Sequence, residues 1–474
     1  MNENQHSGGY KWIAMSVISV GTLTSTLDMG GIRIILPRLE EVFHAGPDVV
    51  VWVSLIWVLI GSSLMLSMGR VSDILGRKKL YTLGLFISTA GLALCAIAQT
   101  IEQLLVFRFI QSFGAAITIA LGTAILTSSF PDNERGRAIG ILGAVGGLGL
   151  LSGPALAGVC LDLLGWRSFF YLRIPIGIAA ILMSSFMLKE RALTARSEKF
   201  DIPGAATLFV SLACLLFAIT QGRSIGWDSP LIQVLTGLGG LLFVLFVTIE
   251  LKSPHPVLDL AMFKNRLFSI AVASHLLLYV STVAVDFLMP FYLIDGLGFS
   301  ASRTGILLIT IPALNLFLSP VSGRLSDRLG SLSLCGFGLA LSTIGLFLLS
   351  RLETTTSTGI VVLYLLVVGA GMGFFLSPNT SAIMGAVPNG RLSSTSAMIG
   401  TLRHIGRSVG LAIAGSIFAV SRNSDAAGLA SENLNIEMVK KLSTVSGVRS
   451  TIAVALIISV AGLLVSVFRG KTRR

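Results

Sequence analysis

Apolar residues fill this chain in long runs of about 20 residues, the length a helix needs to cross a bilayer. They recur about fourteen times, starting near residues 12, 49, 80, 103, 136, 168, 204, 231, 268, 304, 332, 359, 394 and 450. Short polar stretches separate them. The pattern predicts an all-α integral membrane protein, and an even number of crossings puts both termini on one side.

Composition agrees. Of 474 residues, 53% are hydrophobic and 12% charged, with a mean hydropathy of +0.85, where soluble domains carry roughly 25% charged residues. The net charge of +12 does not imply nucleic acid, because no segment has the basic face or aromatic interleaving such binding needs. Alternate loops explain it instead. One set holds Arg77, Lys78, Lys79, Arg135, Arg137, Lys189, Arg191, Arg196, Lys199, Lys252, Lys264, Arg266 and the tail RGKTRR. By the positive-inside bias that set is cytoplasmic, as are both termini. The other set is sparser and partly acidic, with Glu40, Glu41, Asp48, Glu102 and Asp228. Its longest member, about residues 421 to 449, reads as a solvated hairpin or an amphipathic excursion. The opening MNENQHSGGYKW has no charged leader region or cleavage site, so the first run reads as a retained helix. Cys95, Cys160, Cys214 and Cys335 are scattered in apolar runs and read as small hydrophobes, forming neither a disulfide framework nor a metal site.

The chain also repeats itself. GRVSDILG, Gly69 to Gly76, follows the second run, and GRLSDRLG, Gly323 to Gly330, follows the tenth; six of eight positions match. Internal repeats mark transporter folds. An interval of eight helices is six plus two, so the simplest architecture is two six-helix bundles, residues 1–200 and 253–474, with two inserted helices in 201–252. The polar KERALTARSEKFDIPG leads into the inserted pair as a linker.

Four motifs carry a family resemblance. GRVSDILGRKK resembles the signature loop between helices two and three of the major facilitator superfamily. LVFRFIQSFGAA, with Arg108, Gln111 and Gly114, is similar to its helix-four motif, with Ser112 where glycine is usual. GLLSGPALAG, with Gly149, Gly153, Pro154 and Gly158, resembles the helix-five antiporter motif, Ala157 replacing one glycine. TLDMGGIRIILP resembles the helix-one motif of the fourteen-helix drug:proton antiporters, matching at Leu27, Asp28, Leu36 and Pro37. The resemblance spans nearly the whole chain and implies the major facilitator fold, multidrug efflux of the kind that confers antibiotic resistance, and a gating role for Gly69, Asp73, Gly76 and Arg77 and for their second copy, Gly323, Arg324 and Asp327. Physically, Gly69 permits close helix approach, Gly76 suits a tight turn, and the basic residues can hold the loop at an anionic leaflet; the plainer reading is a topogenic loop. The helix-five glycines allow a neighbouring backbone to approach and slide, and Pro154 removes a helix hydrogen bond.

Charges within apolar runs are costly, roughly 2.5 to 3.5 kcal/mol for Asp, Lys or Arg at a helix centre, and need partners or a wet cavity. Asp28, Arg33, Arg108, Arg173, Asp286, Arg403, His404 and Arg407 fall in or near such runs, which argues for a hydrated central pathway. Asp28 and Arg33 are about 140° apart around an ideal helix, so they are not a ready-made pair. Burial favours the neutral form of a carboxylate and a neighbouring arginine the charged form. Asp28 is therefore the first candidate for proton coupling, against a permanent pair with an arginine on another helix. Asp286 is a second coupling or substrate-contacting candidate, or a partner for an arginine across the bundle. Arg108 takes by resemblance a role in proton transfer, and Gln111, on the same face, is a candidate substrate contact. Arg33 and Arg173 stand where the family usually has asparagine. If they face the cavity they favour anionic or zwitterionic substrates; otherwise they pair with Asp28 and Asp286. Arg403 and Arg407 share a face and read as lipid-headgroup or gate contacts near the cytoplasmic end. His275 reads as a hydrogen-bonded helix residue.

No nucleophile elbow, metal-ligand spacing or P-loop is present, so the chain does not read as an enzyme and no cofactor or metal is implied. The expected function is a proton-coupled inner-membrane exporter of small amphiphilic molecules, a monomer among membrane lipids, its partners being substrate and protons. A symporter for an organic anion and a membrane sensor are the competing readings.

Overall fold

The computed structural model describes residues 8–61, 76–131, 134–190, 202–253, 260–387, 392–430 and 435–467. Gly69 and Asp73, residues 191–200 of the linker, the basic tail and the side chain of Asp327 lie outside the described residues.

Helices account for nearly all the described residues. They run as α1 (Gly8–Phe43), α2 (Pro47–Gly61), α3 (Arg77–Ile97), α4 (Ile101–Ser129), α5 (Arg135–Leu164), α6 (Ser168–Met187), α7 (Ile202–Ile225) and α8 (Pro230–Lys252). They continue as α9 (Arg266–Phe291, with a π turn Tyr292–Gly296), α10 (Ala301–Leu308 and Thr310–Leu329), α11 (Ser331–Leu349), α12 (Thr358–Gly385), α13 (Leu392–Ala430) and α14 (Ile436–Val467). Twelve are long and apolar enough to cross a membrane by length and composition; Pro47–Gly61 and Ala206–Gly222 are shorter apolar helices. The protein is thus a multi-pass, all-helical membrane protein.

α1 packs against α4, α5 and α6, and α3 against α4 and α6; likewise α9 packs against α12, α13 and α14, and α11 against α12 and α14. α7 and α8 pack on each other, and α7 leans on α13 and α2, where Trp52 Nε1 donates to Thr220 Oγ1 at 3.2 Å. Helices α1–α6 and α9–α14 contact one another along α1 and α9, α2 and α13, and α5 and α10. The repeat has a backbone basis: Gly76 and Gly330, its last residues, have φ of +94° and +84° and cap the starts of α3 and α11. Only glycine takes that conformation without strain. The second copy is otherwise not a loop, since Gly323 to Leu329 belong to α10.

The stretch 421–449 differs from the expected hairpin. α13 continues to Ala430 and the last helix starts at Ile436, well before residue 450. Its mixed charges have partners: Arg422 Nη2 meets Glu40 Oε1 at 2.6 Å, and Lys440 Nζ meets Glu41 Oε1 at 2.6 Å and Asp295 Oδ1 at 2.9 Å. These contacts tie the end of α1 to α9, α13 and α14. At the same end, Asp162 of α5 accepts hydrogen bonds from the backbone N–H of Ala301 (3.0 Å) and Ser302 (2.8 Å), at the free N-terminus of α10. We call this the stapled end. At the basic end, Lys11 pairs with Glu134 at 2.5 Å.

Candidate functional site

Two carboxylates in the middle of the bundle are each held by two arginines. Asp28, on α1, accepts from Arg108 Nη1 of α4 at 3.0 and 2.9 Å and is also bonded by Arg173 Nη1 of α6. Arg108 is fixed further by the Val53 carbonyl (3.1 Å) and by Gln111. Arg173 donates to the Phe169 carbonyl (3.0 Å) and stacks on the Phe169 ring, 4.1 Å from its centroid. Asp28, Arg108 and Arg173 are at most 1% exposed, so one buried carboxylate meets two buried guanidinium groups that cannot lose their protons. Arg173 and Gln111 therefore serve this cluster and do not line the central cavity.

The second carboxylate, Asp286 of α9, bridges Arg33 Nη1 of α1 (2.8 Å) and Arg407 Nη2 of α13 (3.2 Å). Asp28 and Arg33 thus point to different neighbours, as their angular separation requires, and α1 remains helical through Gly30 and Gly31. Asp286 and Arg33 are about one-fifth exposed, because they border a central cavity of about 600 Å³. That cavity is lined from α1, α2, α4, α5, α9, α10, α12 and α13. Its charged lining is Arg33, Arg403 and Arg407 against Asp286, a positive excess. Trp57 and Tyr279 give it aromatic walls, and Asn315, Ser319 and Thr26 its neutral polar ones.

The sequence counts Arg403, His404 and Arg407 among the charges of a hydrated pathway but reads the two arginines as lipid-headgroup or gate contacts near the cytoplasmic end. All three line the cavity, His404 with its ring 5.9 Å from that of Trp57. The signal was the spacing of TLRHIGR, which puts Arg403, His404 and Arg407 on adjoining faces of a helix whose length hid their depth. His275 lies away from the cavity, with Nδ1 3.4 Å from Asn379 Nδ2.

The helix-five glycines act as contact points. Gly149 and Gly153 bring α5 against α1 at Thr26, Leu27 and Gly31, and a Cβ at Gly158 would overlap the Ala301 backbone of α10. Pro154 borders the cavity within an unbroken α5. At the basic end, Gly76 and the backbone N–H of Lys78 lie beside the Glu190 carboxylate, and Arg77 opens α3. Gly323 packs near Ser377, and Arg324 is exposed. Among the described residues no group of His, Cys, Asp and Glu could hold a metal ion, and the four cysteines are buried thiols.

Comparison with known proteins fits this arrangement. The family model described as Major Facilitator Superfamily matches residues 18–411. The chain is 33% identical over 411 residues to the riboflavin transporter RibZ of Clostridioides difficile, covering 87% of this chain and 89% of that one. It is 29% identical over 408 residues to the multidrug resistance protein Stp of Mycobacterium tuberculosis (86% and 76% covered). With multidrug resistance protein 3 of Bacillus subtilis the identity is 30% over 374 residues (78% and 72% covered). Among solved structures, a bacterial homologue of the human lysosomal transporter Spinster, inward-facing and unoccupied, superposes with a TM-score of 0.70 at 13% identity, covering 98% of this chain and 97% of that one, a likeness of fold alone. The chain belongs to the Major Facilitator Superfamily, and it is a transporter, not an enzyme.

Proposed function

We propose that this transporter is a proton-coupled exporter of small amphiphilic molecules, drugs or metabolites, working by alternating access in the cell's inner membrane. The observation that carries the reading is the Arg33–Asp286–Arg407 bridge, which ties α1 to α9 and α13 at the wall of a cavity with surplus positive charge. The architecture proposed is fourteen helices, with bundles in residues 1–200 and 253–474 and the inserted pair in 201–252. The basic end and both termini are cytoplasmic by loop charge. The opposite end is closed by the contacts of Asp162, Arg422 and Lys440, which supports an inward-open state. The protein acts as a monomer among membrane lipids, with the two repeat copies, residues 69–76 and 323–330, as cytoplasmic latches.

Asp28 and Asp286, with Arg108, are the proton-coupling candidates. Arg33 and Arg407 select the substrate's acidic group, and Arg173 acts indirectly, through Asp28. The surplus charge favours anionic or zwitterionic compounds. The likeness to a named riboflavin transporter and to named multidrug resistance proteins supports uncharged planar heteroaromatic compounds beside them, with Trp57 and Tyr279 as stacking surfaces.

One observation favours a second reading. Asp286 occupies the arginines an anion would need, so its protonation frees them and an anion and a proton load together. Linkage then drives them in the same direction, which is symport. A cationic group instead competes with the proton for Asp286, giving antiport. The test uses purified protein in proteoliposomes with an imposed pH gradient, riboflavin, and matched anionic and cationic amphiphiles, comparing wild type with Asp286→Asn and Asp28→Asn. Gradient-driven movement against proton flow, lost in both variants, supports export. Movement with the proton assigns symport. Equal inhibition by matched anions and cations removes the anionic preference, and no response to the gradient in wild type ends the proton-coupling reading.

A further inference from the structure

Where the inserted pair leans on the bundle, a cleft of about 370 Å³ opens between α2, α7 and α13. Asp48, in the first turn of α2, and Thr220 of α7 line one side. Ser416, Asn423 and Ser424 of α13 line the other, at spacings of i, i+7 and i+8 that put them on one helix face. The opposite face of α13 turns inward, with Phe418 fully buried and Arg422 on Glu40.

The α2 and α7 sides are fixed to each other. Trp52 Nε1 donates to Thr220 Oγ1 at 3.2 Å, and Gln221 Nε2 donates to the Asp48 carbonyl at 3.3 Å. What faces the cleft is unsatisfied but reachable. The Asp48 carboxylate, the Ser416 and Ser424 hydroxyls and the Asn423 amide have no hydrogen-bond or ion-pair partner among the described residues. Asp48 and Ser416 are partly exposed and Asn423 and Ser424 exposed, so these groups are not sealed in the interior, and the wall is nearly half polar. Among the described residues Asp48 is the only charged one on it.

Two markers put the cleft at the headgroup level of the outer leaflet. Ser416 and Ser424 lie about 14 and 26 Å along the α13 axis from Arg407 at the central cavity, and half of a hydrocarbon core is roughly 15 Å. Trp227, in the turn between α7 and α8, is 54% exposed, and its ring packs at Gly222, next but one to Thr220. Exposed tryptophan collects at membrane interfaces. Beyond α7, α8 turns Val234, Leu241 and Val244 outward, so lipid surrounds the pair.

We propose that the cleft holds the headgroup of one zwitterionic aminophospholipid, of the phosphatidylethanolamine type. The ammonium donates to the Asp48 carboxylate, while the Ser416 and Ser424 hydroxyls and the Asn423 amide donate to the phosphate. The volume lies in the range of small-molecule sites. An anionic headgroup would set its charge against Asp48, and a choline headgroup has no N–H to donate. The lipid ties α7 to α2 and α13, the helices that bring Trp57 and Arg407 to the central cavity, which gives the inserted pair a bracing role.

The full-length protein is delipidated in detergent, and its unfolding temperature and native mass spectrum are followed as dioleoyl phosphatidylethanolamine, phosphatidylcholine or phosphatidylglycerol is added. The expected result is one retained phosphatidylethanolamine and a saturable rise in unfolding temperature, with weaker responses to the other two lipids. In Asp48→Asn the concentration for half effect should rise about fivefold, as for a partly solvated ion pair. Ser416→Leu, whose side chain projects into the cleft, should abolish the retained lipid, and it carries the test if Asp48→Asn fails to fold. Asp228→Asn, at an exposed acid in the turn between α7 and α8, should change nothing. Equal responses to the three lipids, or a response unchanged in both cleft variants or equally weakened in Asp228→Asn, would overturn the proposal. A response matched by soluble phosphoethanolamine would overturn the lipid assignment and give the cleft to a free metabolite.

Discussion

Arg33 and Asp286, on the first and ninth helices, meet at 2.8 Å at the edge of the central cavity, with Arg407 at 3.2 Å on the other carboxylate oxygen. Removing the carboxylate while keeping its shape, in Asp286→Asn, leaves the two arginines facing the cavity without their counter-charge. Affinity for an anionic amphiphile should rise about fivefold and that for its cationic counterpart fall by a similar factor, the equivalent of roughly 1 kcal/mol for a partly solvated pair. Competition binding in detergent checks this, and equal changes for both charge types would refute it.

The Asp28 cluster should respond differently, because it is buried and unbalanced. Asp28→Leu leaves the guanidinium groups of Arg108 and Arg173 together without their carboxylate and should cost about 3–5 kcal/mol. Arg173→Leu removes the surplus cation and leaves the Asp28–Arg108 pair neutral, so it should cost only about 1–2 kcal/mol, mostly from the lost Phe169 stacking and Phe169 carbonyl bond. Denaturation of the purified variants orders them. An Arg173 variant less stable than the Asp28 variant would mean that the charge count is not what governs this site.

The chain's periodicity shows its helices because bilayer thickness fixes how long an apolar run must be, and the repeat at Gly76 and Gly330 is legible because a positive φ demands glycine. The angular argument also separates Asp28 from Arg33. It could not show which arginine each carboxylate meets, because Arg108, Arg173 and Arg407 arrive from helices remote in sequence and pairing is decided by packing. Arg407 is a related case, read as a lipid-headgroup or gate contact because its place in the run does not reveal Asp286 across the bundle, and the charges of residues 421–449 suggested an exposed loop. Those charges are satisfied across the bundle by Glu40, Glu41 and Asp295, and hydropathy alone cannot distinguish a solvated charge from a paired one.

Close contact between α5 and α10 should govern the state of the stapled end. Added Cβ atoms at Gly158 and Gly305 would overlap the backbones of Ala301 and Pro154 respectively, and backbone has little room to yield. Gly158→Val and Gly305→Val should therefore disfavour this packing and shift the population toward a state open at that end. Labelling of a cysteine placed at Asn315 in the cavity, with an impermeant maleimide added from the stapled side, should speed up. Gly336→Ala, where nothing lies within 4 Å, should leave the rate unchanged.

Lys440 holds two carboxylates at once, Glu41 at 2.6 Å and Asp295 at 2.9 Å, and the Asp295 side chain is 4% exposed. Lys440→Gln would leave those carboxylates without their shared cation, one of them in a site poor in water. The cost, about 1–2 kcal/mol, falls on the stapled state alone, because the pairing exists only when α1, α9 and α14 converge. A difference of that size moves a two-state population by roughly five- to thirtyfold, readable as a longer distance between spin labels on α1 and α14 at the stapled end. Arg38 offers the internal comparison. It also bonds Glu41, at 2.8 Å, but within one helix and with its side chain 55% exposed, so Arg38→Gln should change the distance distribution little and stability by no more than about 0.5 kcal/mol. Equal effects of the two substitutions would show that Lys440 does not staple the helices but only decorates the surface.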